Sequence, residues 1–341
     1  MTGIFIIDDS AFVRRALARV LATEPGFRIV GEAASGAEAL AKIQTADPDF
    51  VTLDVAMPGM DGLQLLPALL RWKPSLRVLM ISAHTQEGAA ATVAALGAGA
   101  VDVIDKTTFN VMDLEYLRRE VVERLKALAP PAPRPNEAYD KGNGTPPPSA
   151  ARAELRRCEL CVIGASTGGP AAVQSILQEL PATFPIPVIV VQHMPEGFTG
   201  PFAQRLNSLA RIRVTEATEG YRLAAGRAVV APAGQHLRVS PGLAVTLSRS
   251  PSDAKHMPSI DVTLRSAARS RPGRVLGILL TGMGEDGADG LATVRAGGGL
   301  TIAESEASCV VYGMPRAAVA RGAVNWVMPL SGIAALLSGL E

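Results

Sequence analysis

The sequence predicts an α/β fold in two domains, each built on a mostly parallel sheet covered by helices. Three observations carry this reading. Short apolar runs alternate with amphipathic helical patterns five times before residue 128, a Pro- and Gly-rich stretch follows, and the strand and helix alternation then resumes. Repeated βα units imply parallel sheets whose functional sites lie at the carboxyl ends of the strands. At 341 residues the chain also exceeds the size at which a single core usually stops growing.

In the first domain, residues 1–127, the strands read "GIFIID", "FRIVGEA", "DFVTLDV", "RVLMISA" and "AVDVIDK", and the last helix reads "LEYLRREVVERLKAL". Asp8 and Asp9 close the first strand, Asp54 the third, Ser82 the fourth and Lys106 the fifth. Three carboxylates converging on one sheet edge repel one another. A hard divalent cation, magnesium in particular, suits such an oxygen-rich set.

Residues 128–156 form the predicted linker, with "APPAPRPNEAYDKGNGTPPPSAARA" at its centre. The stretch is rich in Pro, Gly and polar residues and lacks periodicity, the composition of an extended connection.

In the second domain, residues 157–341, "CELCVIGAS" leads into "TGGP" and then the helical "AAVQSILQELP". Gly164, Ser166 and Gly168 spell G-x-S-x-G, the pattern of a strand-to-helix turn that lifts a serine off a sheet edge. The strand "IPVIVVQ" ends at His193, and "RVLGILL" ends in "TGMGEDGADG", which carries Asp286. A hydroxyl, an imidazole and a carboxylate each following a buried-type strand share one edge. That set suits acyl transfer: Ser166 as nucleophile, His193 as base, Asp286 holding the imidazole. Met283 in its Gly-Met-Gly loop is a candidate backbone donor to the oxyanion, and Thr167 and Gly168 support the serine turn. His236 and His256 are alternative bases in hairpin-like or polar segments, and Glu285 is an alternative partner for the histidine.

"GMGEDG", Gly282 to Gly287, is also a literal dinucleotide-binding pattern, with Glu304 at a ribose-binding spacing. Two acids inside that loop disfavour a pyrophosphate, and "GASTGG" lacks the lysine of a nucleotide-hydrolysing loop. Cys158, Cys161 and Cys309 are expected to be buried, inert thiols. A net charge of +1 leaves no footprint for nucleic acid, and 48% hydrophobic with 19% charged residues describes a folded soluble chain. No apolar run is long enough to insert in a bilayer, and two aspartates follow closely on the N-terminus, so a cytoplasmic location is expected.

On "IIDDS", "LDVAMPGMDG" and the Ser82 and Lys106 pair, residues 1–127 resemble a response-regulator receiver domain of flavodoxin-like (βα)5 fold. The resemblance implies Asp54 as phosphoacceptor, Asp8, Asp9 and Asp54 as Mg2+ ligands, Ser82 as switch hydroxyl and Lys106 as phosphate partner. Thr107, Val103 and Ala56 depart from the family pattern at the turn after the lysine, at the aromatic switch position and beside the phosphoacceptor. On "GASTGGP", "QHMP", "LTGMGEDGADG" and "ASCVVYGMPRAA", residues 157–341 resemble the catalytic domain of the chemotaxis methylesterase family, the CheB family, a doubly wound α/β domain with a β-hairpin portion. That implies a protein-glutamate methylesterase and protein-glutamine deamidase with no cofactor for the esterase reaction. The implied partners are methylated chemoreceptors as substrate and a chemotaxis histidine kinase as phosphodonor, with recruitment to chemoreceptor clusters. The alternative is a response regulator whose second half is a catalytically silent adaptor.

Overall fold

The computed structural model describes residues 1–82, 86–106, 114–128 and 148–340. The chain forms two compact units, Met1–Ala132 and Pro133–Glu341.

The first unit carries β1 (Thr2–Ile7), β2 (Phe27–Ala33), β3 (Phe50–Asp54), β4 (Arg77–Ser82) and β5 (Asp102–Asp105). They pair in the order β2-β1-β3-β4-β5, all parallel. Helices α1 (Ala11–Ala22), α2 (Gly36–Ala46), α3 (Gly62–Trp72), α4 (Gln86–Gly97) and α5 (Leu114–Leu128) alternate with them. Strand β3 is buried at every position, as a strand covered on both faces must be. Ser10, Ser35 and Asp61 each cap the helix that follows by accepting a backbone N–H, which starts α1, α2 and α3 immediately after the strand-end loops.

The second unit opens with α6 (Pro148–Leu155), inside the stretch whose composition predicts a linker. The helix packs on α12 (Leu330–Ser338), with Leu155 buried and the Arg152 guanidinium donating to the Ala335 carbonyl at 3.3 Å. The linker reading is therefore corrected over its last residues: "PSAARAEL" holds good helix formers, and a tertiary contact decides its state. Residues 129–147 of that reading, and Thr107, lie outside the described residues.

Seven parallel strands follow in the order β14-β13-β12-β6-β7-β9-β8. They are β6 (Leu160–Ala165), β7 (Val188–Gln192), β8 (Arg213–Glu216), β9 (Arg227–Val230), β12 (Val275–Leu279), β13 (Leu300–Glu304) and β14 (Trp326–Met328). An antiparallel hairpin, β10 (His236–Val239) with β11 (Val245–Ser248), stands apart from that sheet. The helices are α7 (Gly169–Glu179), α8 (Thr199–Leu209), α9 (Ile260–Ser270), α10 (Ala288–Ala296) and α11 (Met314–Ala320), besides α6 and α12. Strands β6, β7 and β12 are buried throughout. The order reverses between β6 and β12, the topological switch point at which open α/β sheets bind ligands. Among the described residues, no helix is long and apolar enough to cross a membrane.

Candidate active site

Ser166 follows β6, His193 follows β7 and Asp286 lies in the loop after β12, so three adjacent strands deliver the three groups to one edge. Ser166 is half-buried between buried neighbours at the head of α7. The turn is made by the Gly169 N–H donating to the Ser166 carbonyl at 2.7 Å, with Gly168 as N-cap at φ 77 and Pro170 in the first turn. That positive φ is where the sequence needs glycine. Thr167 is buried, and its carbonyl accepts the Thr281 hydroxyl at 2.9 Å. Thr281 ties the two loops together further: its carbonyl accepts the Ser166 N–H at 3.0 Å and its hydroxyl accepts the Val311 N–H at 2.9 Å. The loops meet so closely that a Cβ at Gly282 would lie 2.7 Å from the Ser166 Cβ. Met283, next along, is exposed.

His193 Nε2 and Asp286 Oδ2 are 2.8 Å apart, with both side chains about nine-tenths buried. A carboxylate only accepts, so Nε2 carries a proton, and in the neutral ring Nδ1 holds the lone pair. Nδ1 is buried with no hydrogen-bond partner among the described residues. The His256 ring stacks on His193, centroids 4.1 Å apart and planes 15° from parallel.

Asp286 also accepts from the Ile260 N–H (2.8 Å), the Asp261 N–H (3.1 Å) and the Ser259 hydroxyl (3.0 Å). Its carboxylate thus sits on the N-terminus of α9, where orphan donors and the helix dipole favour negative charge. Burial alone would raise its pKa, but the bond and charge of His193, with the Ile260 and Asp261 N–H groups, hold it well below the usual carboxylate range. The sequence reading missed "PSID" as this cradle. Its signal was a helix start, Ser259 as N-cap with Asp261 in the first turn.

The alternatives separate. His236 is fully buried, its Nδ1 accepting the Ser259 N–H at 3.1 Å and its Nε2 donating to the Pro251 carbonyl at 3.0 Å, so it is a satisfied structural histidine. Glu285 is exposed and pairs with Arg321 at 2.6 Å rather than with a histidine. Glu304 is fully buried, accepting the Thr281 N–H at 2.8 Å and the Ser308 hydroxyl at 2.9 Å, which removes it as a ribose ligand. Cys158 and Cys161 are buried free thiols, and burial pushes Cys158 up to about 11, whereas Cys309, also expected to be buried, is partly exposed.

At the strand ends of the first unit, Asp8 and Asp54 are buried and Asp9 is exposed. Lys106 Nζ donates to Asp54 Oδ2 at 2.7 Å and lies 2.9 Å from Asp8 Oδ2. The second contact is close but poorly directed for a hydrogen bond, which leaves that buried oxygen without an aligned donor among the described residues. Burial pushes the Asp8 and Asp54 carboxyls up against the pull of Lys106; burial works against the Lys106 charge, but the two acids keep its pKa raised. One oxygen from each of Asp8, Asp9 and Asp54 lies within 4.8 Å of the others. Three clustered carboxylates and an undirected buried oxygen fit a hard divalent ion. Ser82 is hydrogen-bonded to Thr92 of α4 at 2.8 Å, Val103 is buried, and the Ala56 N–H donates to Asp54 Oδ1 at 3.3 Å.

The two units define a response regulator receiver followed by an α/β esterase domain. Residues 4–115 match the response regulator receiver domain, and residues 161–337 match the CheB methylesterase domain, more than half of the chain. The chain belongs to the CheB methylesterase family. It is 41% identical to a protein-glutamate methylesterase/protein-glutamine glutaminase of Lawsonia intracellularis over 98% of both chains. It is 42% identical to one of Myxococcus xanthus over 98% of this chain and 96% of that one. The Thermotoga maritima CheB methylesterase catalytic domain aligns over 54% of this chain and 99% of its own, at 37% identity and a TM-score of 0.51.

Proposed function

We propose that this chain is a phosphorylation-regulated protein-glutamate methylesterase and glutamine deamidase acting on methylated chemoreceptors through Ser166, His193 and Asp286. The observation that supports it most is the His193 to Asp286 bond of 2.8 Å, made beside the serine turn. With Nε2 committed to Asp286, Nδ1 is the nitrogen left to take the Ser166 proton. The serine oxygen attacks the side-chain carbonyl of a methylated glutamate, and the imidazolium returns the proton to departing methanol. Water, deprotonated by the same histidine, then attacks the acyl carbon and frees the serine and a glutamate carboxylate. For glutamine, ammonia leaves in place of methanol. The oxyanion is assigned to the two turns that meet at Ser166, with Gly168 and Met283 as backbone donors and Thr167 as support.

In the receiver, a chemotaxis histidine kinase phosphorylates Asp54, Lys106 partners the phosphoryl group and Ser82 acts as switch hydroxyl. Asp8, Asp9 and Asp54 would hold a magnesium ion, which offsets negative charge on the transferring group. Phosphorylation of Asp54 regulates the esterase by shifting the population between a less active and a more active state. The protein works in the cytoplasm, recruited to receptor clusters, without nucleic acid or membrane insertion.

The test is release of labelled methanol from methylated receptor membranes by the full chain and by Ser166→Ala. Release confined to the chain that keeps Ser166 supports the esterase. Equal release from both, or none from either, overturns it; an adaptor would be indifferent to the substitution.

A further inference from the structure

Gln192 is the last residue of β7 and is 1% exposed. Every other residue of that strand is an apolar Val or Ile, so a buried carboxamide there is costly unless its hydrogens are used. Both are. Nε2 donates to the Ser166 carbonyl at 2.8 Å and to the His193 carbonyl at 3.1 Å. The orientation follows from the partners, because the reversed amide would face an oxygen to two carbonyls.

The backbone tie between the ends of β6 and β7 is the His193 N–H donating to the Ala165 carbonyl at 3.0 Å. One chain then turns into the serine loop and the other into "HMP". Gln192 carries the tie one residue further, onto the serine itself, and also holds the His193 carbonyl. The Ser166 carbonyl thereby accepts twice, from Gln192 and from the Gly169 N–H that makes the turn. Space has been kept for this contact: a Cβ at Gly169 would fall 2.2 Å from Gln192 Oε1. That Oε1 is buried with no hydrogen-bond partner among the described residues. An orphan buried acceptor calls for an explanation, and here it is the consequence of aiming both N–H groups at the two carbonyls.

We infer that Gln192 is a positioning residue that sets the separation of Ser166 and His193 by clamping both of their carbonyls with one carboxamide. The inference rests on the serine and histidine roles proposed above. It gives the second glycine of "STGG" a physical reason: the carboxamide occupies the place of its side chain.

The probe is a fluorophosphonate applied to the full chain. An activated serine oxygen bonds to phosphorus, fluoride leaves, and the serine proton passes to His193. Labelling rates are compared for wild type, Ser166→Ala, Gln192→Met and Gln192→Glu across mildly acid to mildly alkaline pH, at a temperature where melting curves show each folded. Gln192→Met keeps the length and loses both donors, and is expected to label about 10- to 100-fold more slowly, the scale of a small misplacement of reacting groups. Gln192→Glu presents an acceptor to two carbonyls, and its rate relative to wild type is expected to rise toward acid pH as the carboxyl regains a proton to donate. A Gln192→Met protein that melts lower yet labels at the wild-type rate overturns the inference and leaves the serine reading standing. Labelling that persists in Ser166→Ala, or fails in wild type, overturns both.

Discussion

Asp286 and Asp261 each cap the helix that the other introduces. Asp286 lies just ahead of α10 and accepts from Ser259, Ile260 and Asp261 at the start of α9. Asp261 lies in the first turn of α9 and accepts from the Gly287 and Gly290 N–H groups at the start of α10, at 3.0 and 2.6 Å. The exchange locks the two helix starts together and leaves Asp286 Oδ2 aimed at His193.

This relation separates stability from catalysis. Asp286→Asn should lower ester turnover by about 10⁴-fold, the scale seen when the aspartate that sets a triad histidine's tautomer is replaced. Asp261→Asn should cost about 1–3 kcal/mol of stability through disturbed caps, with a far smaller loss of turnover. Turnover and melting of both variants check it; equal losses of turnover would sink the assignment.

The pH dependence of the Asp286 contribution has a definite sign. Its folded pKa lies below the ordinary 3.8, so the unfolded chain binds more protons in that window and stability rises with pH there. The stability gap between wild type and Asp286→Asn should hold from neutrality down to about pH 4 and close only below it, as the folded carboxylate takes a proton. Denaturant titrations over that range decide it, and a gap that closes near neutrality contradicts it.

His256 should act through its ring rather than its charge. Stacked on His193 with planes 15° apart, it limits how the imidazole can tilt. An aromatic pair is worth about 0.5–1.5 kcal/mol, so His256→Ala should slow turnover by about 2- to 10-fold. His256→Phe should retain most of it. Loss in both would point to proton chemistry at His256 instead.

The strands that carry these groups were legible because buried parallel strands read as continuous apolar runs. "DFVTLDV" contains β3 and "CELCVIGAS" contains β6, both buried throughout. The shorter strands β8, "RVTE", and β14, "WVM", carry too few residues for a pattern to emerge. Placing Ser166, His193 and Asp286 at strand ends was enough to bring them to one edge. Of the cradle of Asp286 only the helix start at Ser259 was legible, and the stacking of His256 and the clamp of Gln192 were not, because each depends on a contact between separate elements. The helix over Pro148–Leu155 was hidden for the same reason, since α12, which it packs against, lies near the other end of the unit.

Thr281 should be far more sensitive than its place in a glycine-rich loop suggests. Its hydroxyl serves the Thr167 carbonyl and the Val311 N–H, both in buried contacts, while its backbone holds Ser166 and Glu304. Thr281→Val keeps the shape and strands those two partners, at about 1–3 kcal/mol. Melting should drop accordingly, and Thr281→Ser should restore it. A Val variant as stable as wild type would show that the two partners find other bonds.

The receiver's acid cluster should be a net burden until a cation enters. Asp54 is 2% exposed, and burial raises its pKa above the ordinary 3.8, with Asp8 adding to the rise and Lys106 opposing it. For a carboxyl shifted upward the folded state binds more protons, so its contribution to stability falls as pH rises through the window that begins at 3.8. At neutral pH without metal, Asp54→Asn should therefore stabilise the receiver by about 1 kcal/mol, about 4 °C in its melting transition. The gain should shrink as pH falls toward 3.8, because the folded wild-type carboxyl takes up its proton before the unfolded one does. Magnesium should raise the wild-type transition at neutral pH and do less for Asp54→Asn, because one of the three carboxylates is gone. An Asp54→Asn receiver that melts below wild type in metal-free buffer at neutral pH would show that the bond to Lys106, at 2.7 Å, outweighs the repulsion from Asp8.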